Sequence, residues 1–369
     1  MTADVIVIGA GIIGCACAAA LSAQGMRVTV IEASTTGGGA TAAGMGHLVV
    51  MDDNPAELAL TQRSLQLWRA LVQGQEARHE YSRCGTLWIA ADEEEMAAAR
   101  IKHSVLNAHG VACELLDEQA VHQAEPALRR GLAGGLLVAG DALVYPPKSA
   151  QLLLDQAVAA GARLVQAQVS GITGNGVLCS DGRQLHAGKV VVANGLAAAT
   201  LLPDLPLRAK KGHLLITDRY PGFIRHQLVE LGYIKSAHAS EGDSVAFNLQ
   251  PRPTGQILIG SSRQFDTADK TVEIAMLRKM LAHAAGFVPQ LAQLNVLRSW
   301  TGLRAATPDG LPLIGPHPVR ENIWLAVGHE GLGITTSLAT AELLAAQISG
   351  SAAAIAATPY LPSRLLTRA

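Results

Sequence analysis

The feature that most constrains this chain lies at its start. Asp4–Ile8 reads as a buried strand, and Gly9-Ala10-Gly11-Ile12-Ile13-Gly14 follows it at once. An alanine-rich helix through about Gln24 and a second apolar strand, Arg27–Ile31, complete a βαβ unit that ends at Glu32. Each glycine has a separate task. Gly9 permits the tight turn, Gly11 lets a pyrophosphate approach the backbone, and Gly14 allows the helix to pack closely on the strand. The helix N-terminus offers N–H groups and a partial positive charge to phosphates. A carboxylate at Glu32 would accept hydrogen bonds from a ribose 2′-hydroxyl and repel a 2′-phosphate, which speaks against NADP. The unit therefore predicts dinucleotide binding.

Composition narrows the class further. Among 369 residues, 29 Lys+Arg face 30 Asp+Glu, a net charge of −1, which argues against a nucleic-acid surface. Hydrophobic residues reach 49% and charged residues 16%, so a packed fold is expected rather than disorder. The cysteines Cys15, Cys17, Cys84, Cys113 and Cys179 are odd in number and scattered. They match no metal or iron–sulfur pattern and read as reduced thiols, which implies the cytoplasm. The opening apolar run is broken by glycines and followed by a strand, so it does not read as a membrane span.

Farther along, Thr35–Gly46 is a loop of small residues suited to close approach by a bulky ligand. Helices are expected at Pro55–Val72, Asp92–His109, Pro147–Ala160, Val272–Ala285 and Thr335–Ile348. Strands are expected at Lys189–Ala193, His213–Thr217, Val245–Gln250, Gln256–Ser261 and Ile323–Val327. From Gly302 the chain reads as irregular, which leaves Arg304 in a loop, and Pro359–Ala369 reads as a loosely held tail. The fingerprint alone does not separate FAD from NAD. A second glycine cluster at Gly328–Gly333, before a helix, favours FAD, because both ends of the chain would then serve one long cofactor.

With these segments in view, the chain resembles the FAD-dependent D-amino-acid oxidase superfamily, near glycine oxidase and sarcosine oxidase. The resemblance rests on Val5–Gly14 with Glu32, Gly39–Gly44, Val192–Gly195, Gly302–Arg304, Thr307–Gly315 and Gly328–Ile334. Within that superfamily, Ala43–Asp53 looks like the β subunit of bacterial D-hydroxyproline dehydrogenases, and a similar subunit occurs in hydrogen cyanide synthase. The resemblance implies an α/β fold. A Rossmann-like FAD-binding domain would span 1–80, 140–210 and 297–369. A discontinuous α+β substrate domain on an antiparallel sheet would span 81–139 and 211–296.

The resemblance also implies roles. Gly9, Gly11, Gly14, Glu32 and Ala33 would hold the ADP half of FAD. Gly39, Thr41, Ala42, Ala193 and Gly195 would lie at the pyrophosphate, and Val169 would touch the adenine side through its backbone. Gly46, His47 and Leu48 would approach the isoalloxazine. Gly302, Gly328, Gly331, Leu332, Gly333, Ile334 and Thr335 would complete the flavin edge. Arg304, itself beside the flavin, matches the arginine that pairs with the substrate carboxylate in glycine oxidase, and a guanidinium offers a rigid two-donor fork to that group. Asn248 stands where glycine oxidase has a tyrosine, and Glu330 roughly where it has a second arginine. Tyr233 and His238 could hydrogen-bond a ring hydroxyl, and His47 could tune the flavin. The implied reaction is oxidation of cis-4-hydroxy-D-proline or D-proline to an imine, with glycine or sarcosine oxidation as the alternative and a non-catalytic FAD-binding subunit as a second. The implied assembly is a heteromeric complex with a larger dinucleotide-binding subunit and a small [2Fe–2S] subunit, some such complexes carrying FMN at the subunit boundary. The implied location is the cytoplasm, with peripheral membrane association through the electron acceptor.

Overall fold

The computed structural model describes residues 2–232 and 242–366. The chain forms two compact units, Met1–Glu80 with Val144–Ala209 and Arg304–Ala369, and Tyr81–Leu143 with Lys210–Leu303.

The first unit is built on a mostly parallel sheet in the order Leu313–Pro316, Ile323–Val327, Gln184–Val192, Ala3–Ile8, Val28–Glu32, Arg163–Gln166. Only Leu313–Pro316 runs antiparallel along this path. Near-continuous β-branched runs such as Val5–Ile8 and Val190–Val192 suit a parallel sheet covered on both faces. The helices Ile12–Ala23, Pro146–Ala159 and Gly333–Ser349 belong to this unit, the first packing on the other two. Ile6, Ile8, Ile31, Val190, Val192, Leu313 and Leu325 share its core.

The second unit carries the sheet order Val296–Ala306, Arg208–Thr217, Ile257–Phe265, Ser244–Pro251, Gln227–Glu230, Thr86–Ala90, Gly134–Val138, Glu114–Asp117. Gln227–Glu230 pairs parallel with Thr86–Ala90, and the remaining registered pairs are antiparallel. The helix Ile274–Phe287 seals one face, with Leu277, Met280 and Phe287 against Phe247, Leu249, Ile257 and Ile259. Phe247 and Phe287 stack at 4.4 Å.

Two expectations need correction. The segment from Gly302 is not irregular at its start: Arg304 lies in the strand Val296–Ala306, whose pairing with Arg208–Thr217 outweighs the local Gly302. The C-terminal segment is not loosely held through Leu366. Tyr360 and Leu366 are buried, the Tyr360 hydroxyl donates to Ala56 O at 2.6 Å, and the Arg364 guanidinium grips Asp309.

Candidate cofactor and substrate site

In the first unit the fingerprint turn adopts the geometry its glycines foretold. Gly9 sits at φ +100°, and a Cβ there would lie 2.9 Å from Ala193 O and from Asn194 Cα. Such a φ is strained for any residue with a Cβ. A Cβ on Gly14 would collide with Gly9 O. Ala193 N–H donates to Ile8 O at 2.9 Å, which draws Ala193, Asn194 and Gly195 (φ +60°) alongside the turn.

Glu32 closes the other side. Its Oε2 accepts from Ala10 N–H at 2.7 Å and its Oε1 from Ser34 N–H at 2.8 Å. Ala33 is thus fixed between two anchored neighbours. The Ala167 N–H donates to the main-chain carbonyl of Glu32, and Val169 opens the next strand two residues later. Thr41 Oγ1 accepts from Ile12 N–H at 3.0 Å, and a Cβ on Gly11 would stand 3.2 Å from that oxygen. Gly39 (φ +58°) starts the short helix Gly39–Ala43, which carries Thr41 and Ala42 toward the helix N-terminus.

The small-residue loop then meets the C-terminal helix. Gly46 lies at φ +96°, where a Cβ would strike Val144 O. Thr335 donates its hydroxyl to His47 O at 2.9 Å, and Val49 N–H donates back to Thr335 Oγ1 at 3.4 Å. Leu48 between them is buried. A Cβ on Gly44 would approach Ile334 Cδ1 to 2.7 Å, and Gly333 lies against His329 and Ile13. The loop Gly46–Leu48 and the helix start Gly333–Thr335 are therefore one stitched surface beside the fingerprint helix.

Sequence reasoning missed two supports of this surface. Trp68 Nε1–H donates to Ile334 O and Thr335 O at 3.1 and 3.2 Å, and Ser64 Oγ accepts from Ala339 N–H at 3.2 Å. Both lie on the buried face of Pro55–Val72, where the only available signal was helical periodicity. His329 is fully buried with Nε2 3.0 Å from Thr340 Oγ1, and burial pushes its pKa down to about 3, so the ring is neutral.

Arg304 joins this surface through the backbone. Glu330 N–H donates to Ala305 O at 2.9 Å, and Ala306 forms an antiparallel bridge with His329. Gly328 (φ +81°) packs where a Cβ would sit 2.6 Å from Thr307 Cγ2. Gly331 and Leu332 follow, the Leu332 N–H closing a turn onto His329 O at 3.0 Å.

Asn248 lies in the second unit, on Ser244–Pro251 opposite Val229 and Gly260, and Gly302 is in that unit's part of Val296–Ala306. Tyr233 and His238 lie outside the described residues.

These residues fit a bound dinucleotide. The helix Ile12–Ala23 begins at Gly11, which has no side chain of its own to cap it, and a glycine turn leading into a helix N-terminus is the arrangement that receives phosphate oxygens. Asn194 Oδ1 is buried beside the turn and has no donor among the described residues, so it suits a hydroxyl of the ligand or a bridging water. The family model described as FAD dependent oxidoreductase (DAO) matches residues 4–347.

The chain belongs to that family. It is an enzyme, an FAD-dependent oxidoreductase, similar to glycine oxidase. Its similarity to glycine oxidase from Pseudomonas aeruginosa is 29% identity across 98% of this chain and 99% of the relative. Hydrogen cyanide synthase subunit HcnC from the same organism is 28% identical across 98% and 96%. The crystal structure of L-proline dehydrogenase from P. horikoshii superposes with a TM-score of 0.88 at 25% identity, covering 98% of this chain and 97% of that one. That likeness covers the mixed α/β fold. No helix among the described residues is long and apolar enough to cross a membrane.

Proposed function

We propose that this FAD-dependent oxidoreductase oxidises a small cyclic D-amino acid, cis-4-hydroxy-D-proline or D-proline, to the corresponding imine. The observation that carries the amino-acid reading is the stitching of Arg304's strand to the glycine loop: Glu330 N–H to Ala305 O, with the Ala306–His329 bridge beside it. This sets the Arg304 backbone one residue from the pairing with the loop that would cover the flavin. Arg304 would bind the substrate carboxylate and orient its Cα–H, a role of binding and alignment rather than proton transfer. FAD, when bound, supplies the two-electron acceptor. Gly9, Gly11, Gly14, Glu32, Thr41, Ala193 and Gly195 would hold its ADP half, and Gly46–Leu48 with Gly331–Thr335 its ring. The buried neutral His329 keeps the loop in place without adding charge.

The L-proline dehydrogenase likeness supports a pyrrolidine substrate, and the Ala43–Asp53 segment supports the hydroxyproline dehydrogenase type. That type works in a complex, so electrons would leave through a larger dinucleotide-binding subunit and a small [2Fe–2S] subunit, with FMN at the boundary. The cluster would belong to the partner, because all five cysteines here are free and Cys15 and Cys17 are held as thiols by burial. Such a complex would work in the cytoplasm, with any membrane association supplied by its electron acceptor. A second reading, glycine oxidation, rests on the glycine oxidase and HcnC relatives.

Anaerobic stopped-flow mixing with cis-4-hydroxy-D-proline, D-proline and glycine separates these readings. Fast bleaching of the flavin band by the cyclic amino acids supports the first, and reduction by glycine alone overturns it in favour of the second. Reoxidation by air at the catalytic rate overturns the dehydrogenase part and leaves the substrate part standing. In the same assay Arg304→Ala should bind the amino acid roughly 30- to several-thousand-fold more weakly, the equivalent of about 2–5 kcal/mol for a lost desolvated charge pair. Wild-type affinity and rate in that variant would remove Arg304 from the substrate site.

A further inference from the structure

We infer that His79 is a positioning residue of the flavin site: its imidazole ties Trp68, which holds the start of the helix Gly333–Ser349, to Ser149, on the helix that follows the segment holding Gly46. It thereby sets the spacing between the two halves of the surface that would receive the ring. The inference rests on the ring placement proposed above and deepens it.

His79 is fully buried, as are Trp68 and Ser149. Its Nδ1 lies 3.0 Å from Ser149 Oγ. Its ring stands perpendicular to the Trp68 indole, at 89° and 6.2 Å between centroids, an edge-to-face contact. Burial, with the Arg78 charge beside it, holds its pKa below the ordinary histidine value, so the ring is neutral at pH 7. Its Nε2 is buried with no partner among the described residues. A phenyl ring would fill this place without leaving a polar atom unpaired, so packing alone does not account for an imidazole. The bond to Ser149 does: it fixes which way the ring faces, and the ring in turn fixes the indole.

Each end of this tie leads to one half of the surface. Trp68 Nε1–H donates to Ile334 O at 3.1 Å and Thr335 O at 3.2 Å, and the Thr335 hydroxyl donates to His47 O at 2.9 Å. A tilt of the indole would therefore carry the first turn of Gly333–Ser349 with it. Ser149 leads to the other half. Its N–H donates to Tyr145 O at 3.1 Å, Tyr145 N–H donates to His79 O at 2.8 Å, and Val144 N–H donates to Gly46 O at 2.9 Å. A Cβ on Gly46 would strike Val144 O, so the loop lies directly against the segment 144–145. A helix N-terminus carries partial positive charge, and a reduced flavin is more negative than an oxidised one. The position of Gly333–Thr335 therefore bears on the reduction equilibrium as well as on binding.

The test reads the reduction equilibrium of the FAD-loaded protein by dye-coupled anaerobic titration, alongside its Tm. His79→Phe keeps a ring against Trp68 and removes the bond to Ser149. The equilibrium should shift toward oxidised flavin by about 3-fold or more, which is about 14 mV for a two-electron couple. The Tm should hold at the wild-type value or rise, because the unpaired ring nitrogen is gone. A histidine that served stability alone would change the Tm and leave the flavin as it was. Ser149→Ala cuts the same bond from the other side and should give the same shift, and the double variant should shift no further than either alone. Gly331→Leu tests the ring placement separately, since a Cβ there meets nothing within 4 Å in the protein. A flavin shifted by Gly331→Leu but by neither His79→Phe nor Ser149→Ala overturns the inference and leaves the ring placement standing, and additive shifts in the double variant also overturn it. A flavin shifted by none of the three overturns the ring placement and this inference with it.

Discussion

The C-terminal clamp makes a quantitative prediction. Arg364 Nε and Nη2 reach Asp309 Oδ2 and Oδ1 at 2.6 and 3.1 Å, and its N–H groups also donate to Leu311 O at 2.5 Å, Pro312 O at 3.1 Å and Leu361 O at 3.3 Å. Thr307 Oγ1 donates to Leu311 O, and Leu311 N–H donates to Asp309 Oδ1, so one guanidinium organises the whole turn after the Arg304 strand. Replacing it by Gln removes the ion pair and most of the donors. The side chains are 17% and 35% exposed, so the ion pair is counted at the surface value of under 1 kcal/mol. Three carbonyl hydrogen bonds at about 1 kcal/mol each, partly replaced by water, bring the expected loss to about 2–3 kcal/mol.

For a chain of this size that is a Tm lower by about 3–4 °C in scanning calorimetry of the FAD-saturated protein. Arg364→Lys should recover less than half, since an ammonium has no planar fork. The loss also has a pH signature. Burial works to raise the Asp309 pKa, but its bonds to Arg364 win and leave it below the ordinary carboxylate value. A depressed folded pKa stabilises fully above the unfolded value and is lost as pH falls through the folded one. The gap between wild type and Arg364→Gln should therefore hold steady from pH 6 to 8 and narrow below about pH 4. A Tm difference under 1 °C, or a gap that widens in acid, refutes this account of the tail.

Gly14→Ala should fold and lose most of its FAD, because its Cβ would meet Gly9 O in the turn that receives the pyrophosphate; flavin content by absorbance after gel filtration checks this, and normal content would show that the turn can yield. Glu230→Gln should weaken the second unit's anchor, where Glu230 accepts from Phe247 N–H at 2.8 Å and lies 2.9 Å from His283 Nε2. The Glu230 hydrogen bond raises the His283 pKa against the opposing effect of burial, so the pair stabilises fully below about pH 6.5 and fades as pH rises through the higher folded value. The variant's Tm deficit should accordingly be larger at pH 6 than at pH 9, and an equal deficit at both would exclude the ionised pair.

Helices were legible wherever the sequence carried their caps. Asn54 accepts from Glu57 N–H and Asp92 from Glu95 N–H, and the helices Pro55–Val72 and Glu93–Ala108 begin right after them. Strands that depend on distant partners were not legible. Gln227–Glu230 has four residues and no outward sign of pairing, yet it is held parallel to Thr86–Ala90 from the other side of the second unit's sequence. Val296–Ala306 was obscured by Gly302, whose low strand preference is outweighed by the sheet. The tail was obscured because the partner of Arg364 lies 55 residues away at Asp309, and no local pattern announces an ion pair of that span.

The same division explains why the cofactor was easier to read than the substrate. A dinucleotide is held by backbone N–H groups at close approach, and close approach demands glycine at fixed spacing, so the spacing of Gly9, Gly11 and Gly14 carries the dinucleotide pattern in residue type alone. A substrate is held by side-chain tips whose positions follow from tertiary contacts. Arg304 was named by the resemblance alone, and the Ala306–His329 bridge sets its strand beside the glycine loop. Nothing in the letters Gly-His-Glu-Gly distinguishes a glutamate kept for its carboxylate from one tolerated on a surface.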